Sequence, residues 1–367
     1  MKYINQFDSS KNIKLQIMNK NGAVINNDLL PNIEDKTILE AYKIMNLSRI
    51  QDDFQTKMQR QGRLLSFLTS TGQEATEVGY SMCLRKDKDW FLSGYRNNAA
   101  WLTMGVPMRN IMLFWVGNEN GGRSPNDINV LPPNIVIGTQ YSQAAGIAFA
   151  NQYKNIDSVV LTTTGDGGTS EGETYEAMNF AMLHKVPCIF ICENNKWAIS
   201  TPIIEQTASL NFAIKAKATG MPSIKVDGND FLAVYGVIKE AHQFVKENGP
   251  IFIEFDTYRL GPHSSSDSPD VYREKEQFDE AQLSDPLIRL KKYLMNKNLW
   301  DENQQNDLNI QQLKFIENEF DWVEKNKNYP LKDIFNYQYA EMDLFLKEQY
   351  HFAEYFFNNY PLNKEGE

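Results

Sequence analysis

Gly165-Asp166-Gly167-Gly168 follows the apolar run DSVVLTTT and precedes a helical pattern, EGETYEAMNFAMLHK. Glycines let a backbone approach a ligand closely, and the start of a helix offers unpaired N–H groups to an anion such as a diphosphate. Asp166 then sits beside that anion, where a lone carboxylate would repel it. A divalent cation between the two removes the conflict. Magnesium wants an octahedral set of oxygens, which one carboxylate and the phosphate oxygens leave incomplete. The next apolar run, VPCIFICE, ends in Asn194-Asn195-Lys196-Trp197. If the two runs are adjacent parallel strands, that end lies next to the Gly165 turn. Asn195 can then offer an amide oxygen and Trp197 a backbone carbonyl.

A dinucleotide-binding turn is the nearest competing reading. Gly165-x-Gly167-x-x-Ser170 almost fits it, and Glu193 ends the following strand where a ribose-binding acid would stand. Ser170, however, replaces the glycine that close helix packing requires, and the reading gives Asn194 and Asn195 no role.

The elements that must carry these residues alternate. DSVVLTTT, VPCIFICE and PIFIEFDTYR read as strands, while EGETYEAMNFAMLHK and FLAVYGVIKEAHQFVKEN read as helices, the first starting near Thr169 or Ser170. The strands are continuous apolar runs, as expected where both faces of a parallel sheet are covered by helices. Ligands in such α/β sheets bind at the carboxyl ends of the strands. Upstream, ILEAYKIMNLSRIQDDFQTKMQRQG has helical spacing with a glycine stop at Gly62, and EATEVGYSMCLR gives a second helix. The expected organisation is an N-terminal arm over residues 1–36 that packs on a neighbour, a cofactor-binding α/β domain over 37–277, and a helical C-terminal extension over 278–367. In that extension, FDWVEKN and YHFAEYFFNNY mix aromatics with charge, as core or subunit contacts do.

Composition excludes several classes. A net charge of −10 without a basic stripe disfavours nucleic acid as a partner. Without a run of about 20 apolar residues no membrane-spanning helix is expected, and the start lacks the features of a secretory or transit peptide, so the expected location is cytoplasmic. Cys83, Cys188 and Cys192 are an odd number with no ligand spacing, which points to free thiols. His184, His242 and His351 fall in helical patterns and read as packing or surface residues.

With its neighbours, the Gly-Asp-Gly and Asn-Asn pair resembles the thiamine diphosphate motif. RQGRLLSF, TGQEA, LSGYR, NVLPPNIVIGTQYSQAAGIAFA, GDGGTSEG, CENNKWAISTP and TYRLGPHSSSD are similar, in order, to segments of 2-oxo acid dehydrogenase alpha subunits, over roughly Met45 to Arg273. The resemblance implies a thiamine diphosphate-binding fold of the diphosphate-binding type. It also implies thiamine diphosphate and magnesium as cofactors, with Asp166, Asn195 and the Trp197 carbonyl on the metal and Gly167 and Gly168 against the diphosphate. Tyr95, Arg96, Arg259 and His263 match positions that reach the phosphates, and Ile137 matches the residue whose backbone meets the aminopyrimidine ring. His263 is further expected to act in catalysis, by closing a mobile loop over the site. Ser264, Ser265 and Ser266 match a loop that is phosphorylated in mitochondrial relatives, although a polar loop ordered by cofactor suffices here.

The same resemblance implies partners. The glutamate that activates the cofactor belongs to a second sheet domain, for which this chain has no room, so a separate beta subunit is expected in a tetramer of two alpha and two beta chains. The implied reaction is decarboxylation of a 2-oxo acid and acyl transfer to the lipoyl domain of a dihydrolipoyl acyltransferase. Pyruvate is the expected substrate, with the branched-chain 2-oxo acids as the alternative. A noncatalytic subunit that merely holds thiamine diphosphate is the other possibility the motifs leave open.

Overall fold

The computed structural model describes residues 2–360. Its strands are β1 (Lys14–Leu15), β2 (Trp90–Leu92), β3 (Val160–Gly165), β4 (Cys188–Asn194), β5 (Trp197–Ala198), β6 (Thr201–Pro202), β7 (Ser223–Asp227) and β8 (Ile251–Asp256). Strands β5 and β6 form a small antiparallel hairpin, and the others make one six-stranded sheet in the order β1-β7-β8-β4-β3-β2. Every pairing in that sheet is parallel.

Both faces of the sheet are covered, which is why its central strands carry apolar side chains on both sides. In β4, Ile189 and Ile191 join one core cluster, whereas Cys188, Phe190 and Cys192 join the other. The two cysteines therefore share a strand face as buried free thiols. The helix Phe231–Asn248 packs into the first cluster through Leu232, Val234 and Ile238. Gly172–His184 and Thr139–Tyr153 pack into the second, through Ala177, Met178, Ala144 and Ala148. Each large aliphatic side chain buried this way contributes about 1.5–3 kcal/mol.

The N-terminal segment runs along the sheet of its own chain. β1 is the sheet's edge strand, with Lys14 opposite Lys225 and Leu15 opposite Val226. Asp230 holds the segment in place: one carboxylate oxygen accepts the backbone N–H groups of Ile17 and Met18 at 2.7 and 2.6 Å. The other oxygen caps the helix Phe231–Asn248 at Leu232, 3.1 Å away. At the other end, the helix Glu302–Asn326 begins with a capping box of Asp301 and Gln304 and packs on Asp35–Arg60 through the Phe54 and Phe320 rings. FDWVEKN thus buries Phe320 and Val323, while the later helix Leu344–Asn359 buries none of its residues.

The register of the sheet assembles the site. Gly165 pairs with Glu193, and Asn194 pairs with Asp256, so the carboxyl ends of β3, β4 and β8 finish level. Among the described residues, no helix is long and apolar enough to cross a membrane.

Candidate active site

A cleft of about 240 Å³ opens at these strand ends. Tyr95, Arg96, Ile137, Asp166, Gly167, Gly168, Asn195, Trp197, Arg259 and His263 all line it, so the residues singled out from sequence come together in one place. The backbone after β3 makes a tight turn over Gly167–Ser170, and the helix starts only at Gly172, later than Thr169 or Ser170. Thr169 instead turns its hydroxyl back to the Asp166 carbonyl at 2.7 Å.

The two glycines are demanded first by the protein itself. A Cβ on Gly168 would lie 2.0 Å from Thr164 Oγ1 and 2.9 Å from Ile137 Cγ2, and one on Gly167 would lie 2.8 Å from the Ala198 Cβ. Three walls of the cleft, the end of β3, the Ile137 loop and the β5–β6 hairpin, therefore close on bare backbone. A ligand in the cleft meets main chain there.

Asp166 is 1% exposed, and Gln206 Nε2 donates to its Oδ2 at 2.6 Å. Burial pushes its carboxyl above the usual carboxylate range, with the Gln206 hydrogen bond opposing. Asn195 Oδ1 accepts the Trp197 N–H at 3.2 Å, and the Trp197 carbonyl accepts from Arg259 Nη1 at 3.2 Å. Both are long bonds that leave acceptor capacity. One carboxylate and two neutral oxygens suit a hard cation that shares its shell with phosphate oxygens. Among the described residues no cluster of three His, Cys, Asp or Glu side chains competes as a metal site.

The cationic side is organised around the loop after β8. Arg96 is buried; it donates to the Thr69 carbonyl at 2.7 Å and to the His263 carbonyl at 2.6 Å. Burial, then the Arg259 charge, draws its pKa down to about 10, so it stays a cation at neutral pH. Arg259 donates to the Ile199 carbonyl and the Tyr272 hydroxyl, each at 2.7 Å, while its Nε has no protein partner. Those bonds hold a strained turn, since Lys196 and Ile199 both have left-handed φ, 79° and 57°. For the β-branched Ile199 such a conformation costs about 1–2 kcal/mol. The Tyr95 and His263 rings meet edge to face at 6.3 Å.

His263 Nδ1 lies 3.2 Å from Arg96 Nη2. A guanidinium has only donors, so Nδ1 accepts and the ring proton sits on Nε2. Burial, then Arg96 and Arg259, lowers the imidazole from 6.5 to about 4. The ring is therefore a neutral donor at neutral pH. In an NMR titration its carbon-bound protons are expected to stay unshifted from pH 8 to about 5, and Arg96→Gln should raise the midpoint. A midpoint near 6.5 in the parent protein would contradict this environment. Because the folded value lies below the unfolded one, His263 favours the fold above pH 6.5 and that contribution fades as pH falls towards 4.

Three contributors lay outside the expected set. Gln206 reaches Asp166 from the turn after β6, and Gln73 accepts from Asn195 Nδ2 at 2.8 Å. Glu193, the acid of the dinucleotide reading, points instead into a buried nest, where Asn97 donates to its two oxygens at 3.1 and 3.0 Å and Tyr80 donates at 3.0 Å.

Residues 42–332 match the family described as the dehydrogenase E1 component. The chain belongs to that family. It is 41% identical over 334 residues to the pyruvate dehydrogenase E1 component subunit alpha of Acholeplasma laidlawii, covering 90% of this chain and 96% of that relative. It is 40% identical over 343 residues to the same subunit of Staphylococcus aureus, covering 93% and 92%. With the Mycoplasma genitalium subunit it shares 36% over 345 residues, covering 94% and 96%. Membership of the E1 family removes the dinucleotide reading and accords with the nest around Glu193.

Proposed function

We propose that this chain is the alpha subunit of a pyruvate dehydrogenase E1 component, which grips the diphosphate of thiamine diphosphate through magnesium and works with a beta subunit. The observation that carries the reading is that Asp166, Asn195 and Trp197 line one cleft with the glycine turn after β3. Asp166, Asn195 and the Trp197 carbonyl would hold the metal. The Gly167 and Gly168 backbone, with Tyr95, Arg96, Arg259 and His263, would meet the diphosphate, and the Ile137 backbone would meet the aminopyrimidine ring.

When bound, thiamine diphosphate supplies the carbon nucleophile that attacks the 2-oxo group and accepts the electrons left as carbon dioxide departs. This chain's part is to bind and orient. Arg96, protonated at neutral pH, adds positive charge beside an anion, and its hydrogen bond to the His263 carbonyl ties the loop after β8 to the start of the helix Asn98–Met104. His263 Nε2 carries a proton it can donate to a diphosphate oxygen while remaining neutral. The same loop, Gly261 to Tyr272, borders the entrance through which the lipoyl domain of an acyltransferase would present its acceptor.

Pyruvate as substrate rests on the names of the relatives. The test is steady-state turnover of pyruvate against 3-methyl-2-oxobutanoate by the assembled alpha–beta enzyme, with kcat/KM expected to favour pyruvate by at least about 10-fold, a transition-state difference of about 1.4 kcal/mol. Preference for the branched acid would move the chain to the branched-chain dehydrogenases.

A further inference from the structure

We infer that Gln73 is a positioning residue that decides which end of the Asn195 amide faces the metal, an inference that rests on the cofactor reading above. An asparagine side chain ligates through oxygen only, while its two ends are almost equal in size, so something nearby must choose between them. Asn195 Nδ2 donates to Gln73 Oε1 at 2.8 Å, which turns the nitrogen away and leaves Oδ1 with only the 3.2 Å bond from the Trp197 N–H. Gln73 poses the same question one step back.

Glu193 answers it. Gln73 Nε2 donates to Glu193 Oε2 across 3.5 Å, a long contact but one whose polarity is set by its partner. Asn97 Nδ2 donates to both Glu193 oxygens and the Tyr80 hydroxyl donates to Oε1; these donors favour the ionised form against the burial that raises the carboxyl to about 7, and in that form it presents only acceptors to Gln73. Gln73 must turn its NH2 group towards Glu193 and its oxygen towards Asn195. Reversing Asn195 would set two amide oxygens against each other. Gln73, Glu193 and Asn195 are 1%, 4% and 6% exposed, so bulk water does not take over these roles.

A separate observation supports a dedicated role. Gln73 occupies the N-cap of the helix Glu74–Ser81, where a side chain commonly bonds the free N–H groups of the first turn, yet it makes no capping bond. Its amide is turned into the cleft instead.

The experiment uses the assembled enzyme, saturating thiamine diphosphate and calorimetric titration of magnesium. Gln73→Met keeps the volume and deletes both ends of the amide; the magnesium Kd is expected to rise about 10- to 100-fold, as it does when a ligand loses its outer-shell partner. Excess magnesium should restore kcat. In an Asn195→Ala background, Gln73→Met should add nothing, because it acts through that amide. If Asn195→Ala itself leaves magnesium affinity unchanged, the cofactor reading fails. If Asn195→Ala weakens binding but Gln73→Met does not, or if the two losses multiply, only the positioning role of Gln73 is overturned. Gln73→Asn, which withdraws the amide by one methylene, has the same expected and overturning results and replaces Gln73→Met if that variant fails to assemble.

Discussion

Asp166→Ala is expected to remove magnesium-dependent binding of thiamine diphosphate while leaving the chain folded and no less stable. The two effects have one origin. The carboxylate is buried, its pKa is raised by that burial, and the Gln206 hydrogen bond, its own backbone N–H and the Lys196 and Arg259 charges offset the cost only in part. A buried charge with incomplete compensation costs folding free energy that a bound cation would offset. Without the cation, alanine relieves the cost. Because the folded carboxyl has the higher pKa, that relief is full only above the raised folded pKa, shrinks as pH falls through it, and is gone below about 3.8, where the unfolded carboxyl also takes up a proton. Cofactor affinity should fall at least about 100-fold, about 2.7 kcal/mol. Thermal unfolding reads both halves: magnesium and thiamine diphosphate together should raise the Tm of the parent and leave that of Asp166→Ala unmoved. An equal cofactor-induced rise in both proteins would remove Asp166 from the metal site.

The Asp166 turn was legible because its signals are local. A Gly-Asp-Gly at the end of one long apolar run and an Asn-Asn at the end of the next need only adjacent parallel strands to meet, and the Gly165–Glu193 register supplies that. The same locality explains what could not be read. β1 and β2 are two and three residues long, too short for any periodicity, and β7, Ser223–Asp227, has only Ile224 and Val226 as apolar residues. The helix after β3 was expected too early because a Thr-Ser pair resembles a cap, whereas Thr169 is occupied with the Asp166 carbonyl. Gln73 lies 122 residues before Asn195, and nothing in TGQEA announces that its glutamine forgoes capping in order to face the cleft. Glu77 shows the same limit. In sequence it belongs to the charged first turn of a helix, but in the fold it is fully buried and accepts the Ala99 N–H at 2.9 Å, at the start of a different helix. Long-range polar nests of this kind leave no local trace.

The purified chain alone is expected to show no measurable turnover of a 2-oxo acid, and addition of the beta subunit should restore it. The expectation follows from what surrounds the cleft. Ile137 and Ile199, which line it, are 42% and 57% exposed, apolar side chains open to solvent at the edge of the site. Exposed apolar side chains bordering a binding cleft suit a contact with a partner. Electrostatic grip on a diphosphate and activation of a carbon acid both depend on excluding water, which an uncovered rim does not do. Among the described residues the chain folds into one six-stranded sheet and a two-stranded hairpin, and every side chain proposed to meet the metal or the cofactor belongs to the diphosphate end of the site. On the function proposed above, the carboxylate that faces the aminopyrimidine ring would come from the partner. Titrating beta into a fixed amount of this chain should therefore raise activity to a sharp plateau at equimolar chains, with the chain alone below about 0.1% of the plateau rate, a barrier difference of about 4 kcal/mol. Robust decarboxylation by the chain without beta, under saturating magnesium and thiamine diphosphate, would mean that the whole active site lies within it.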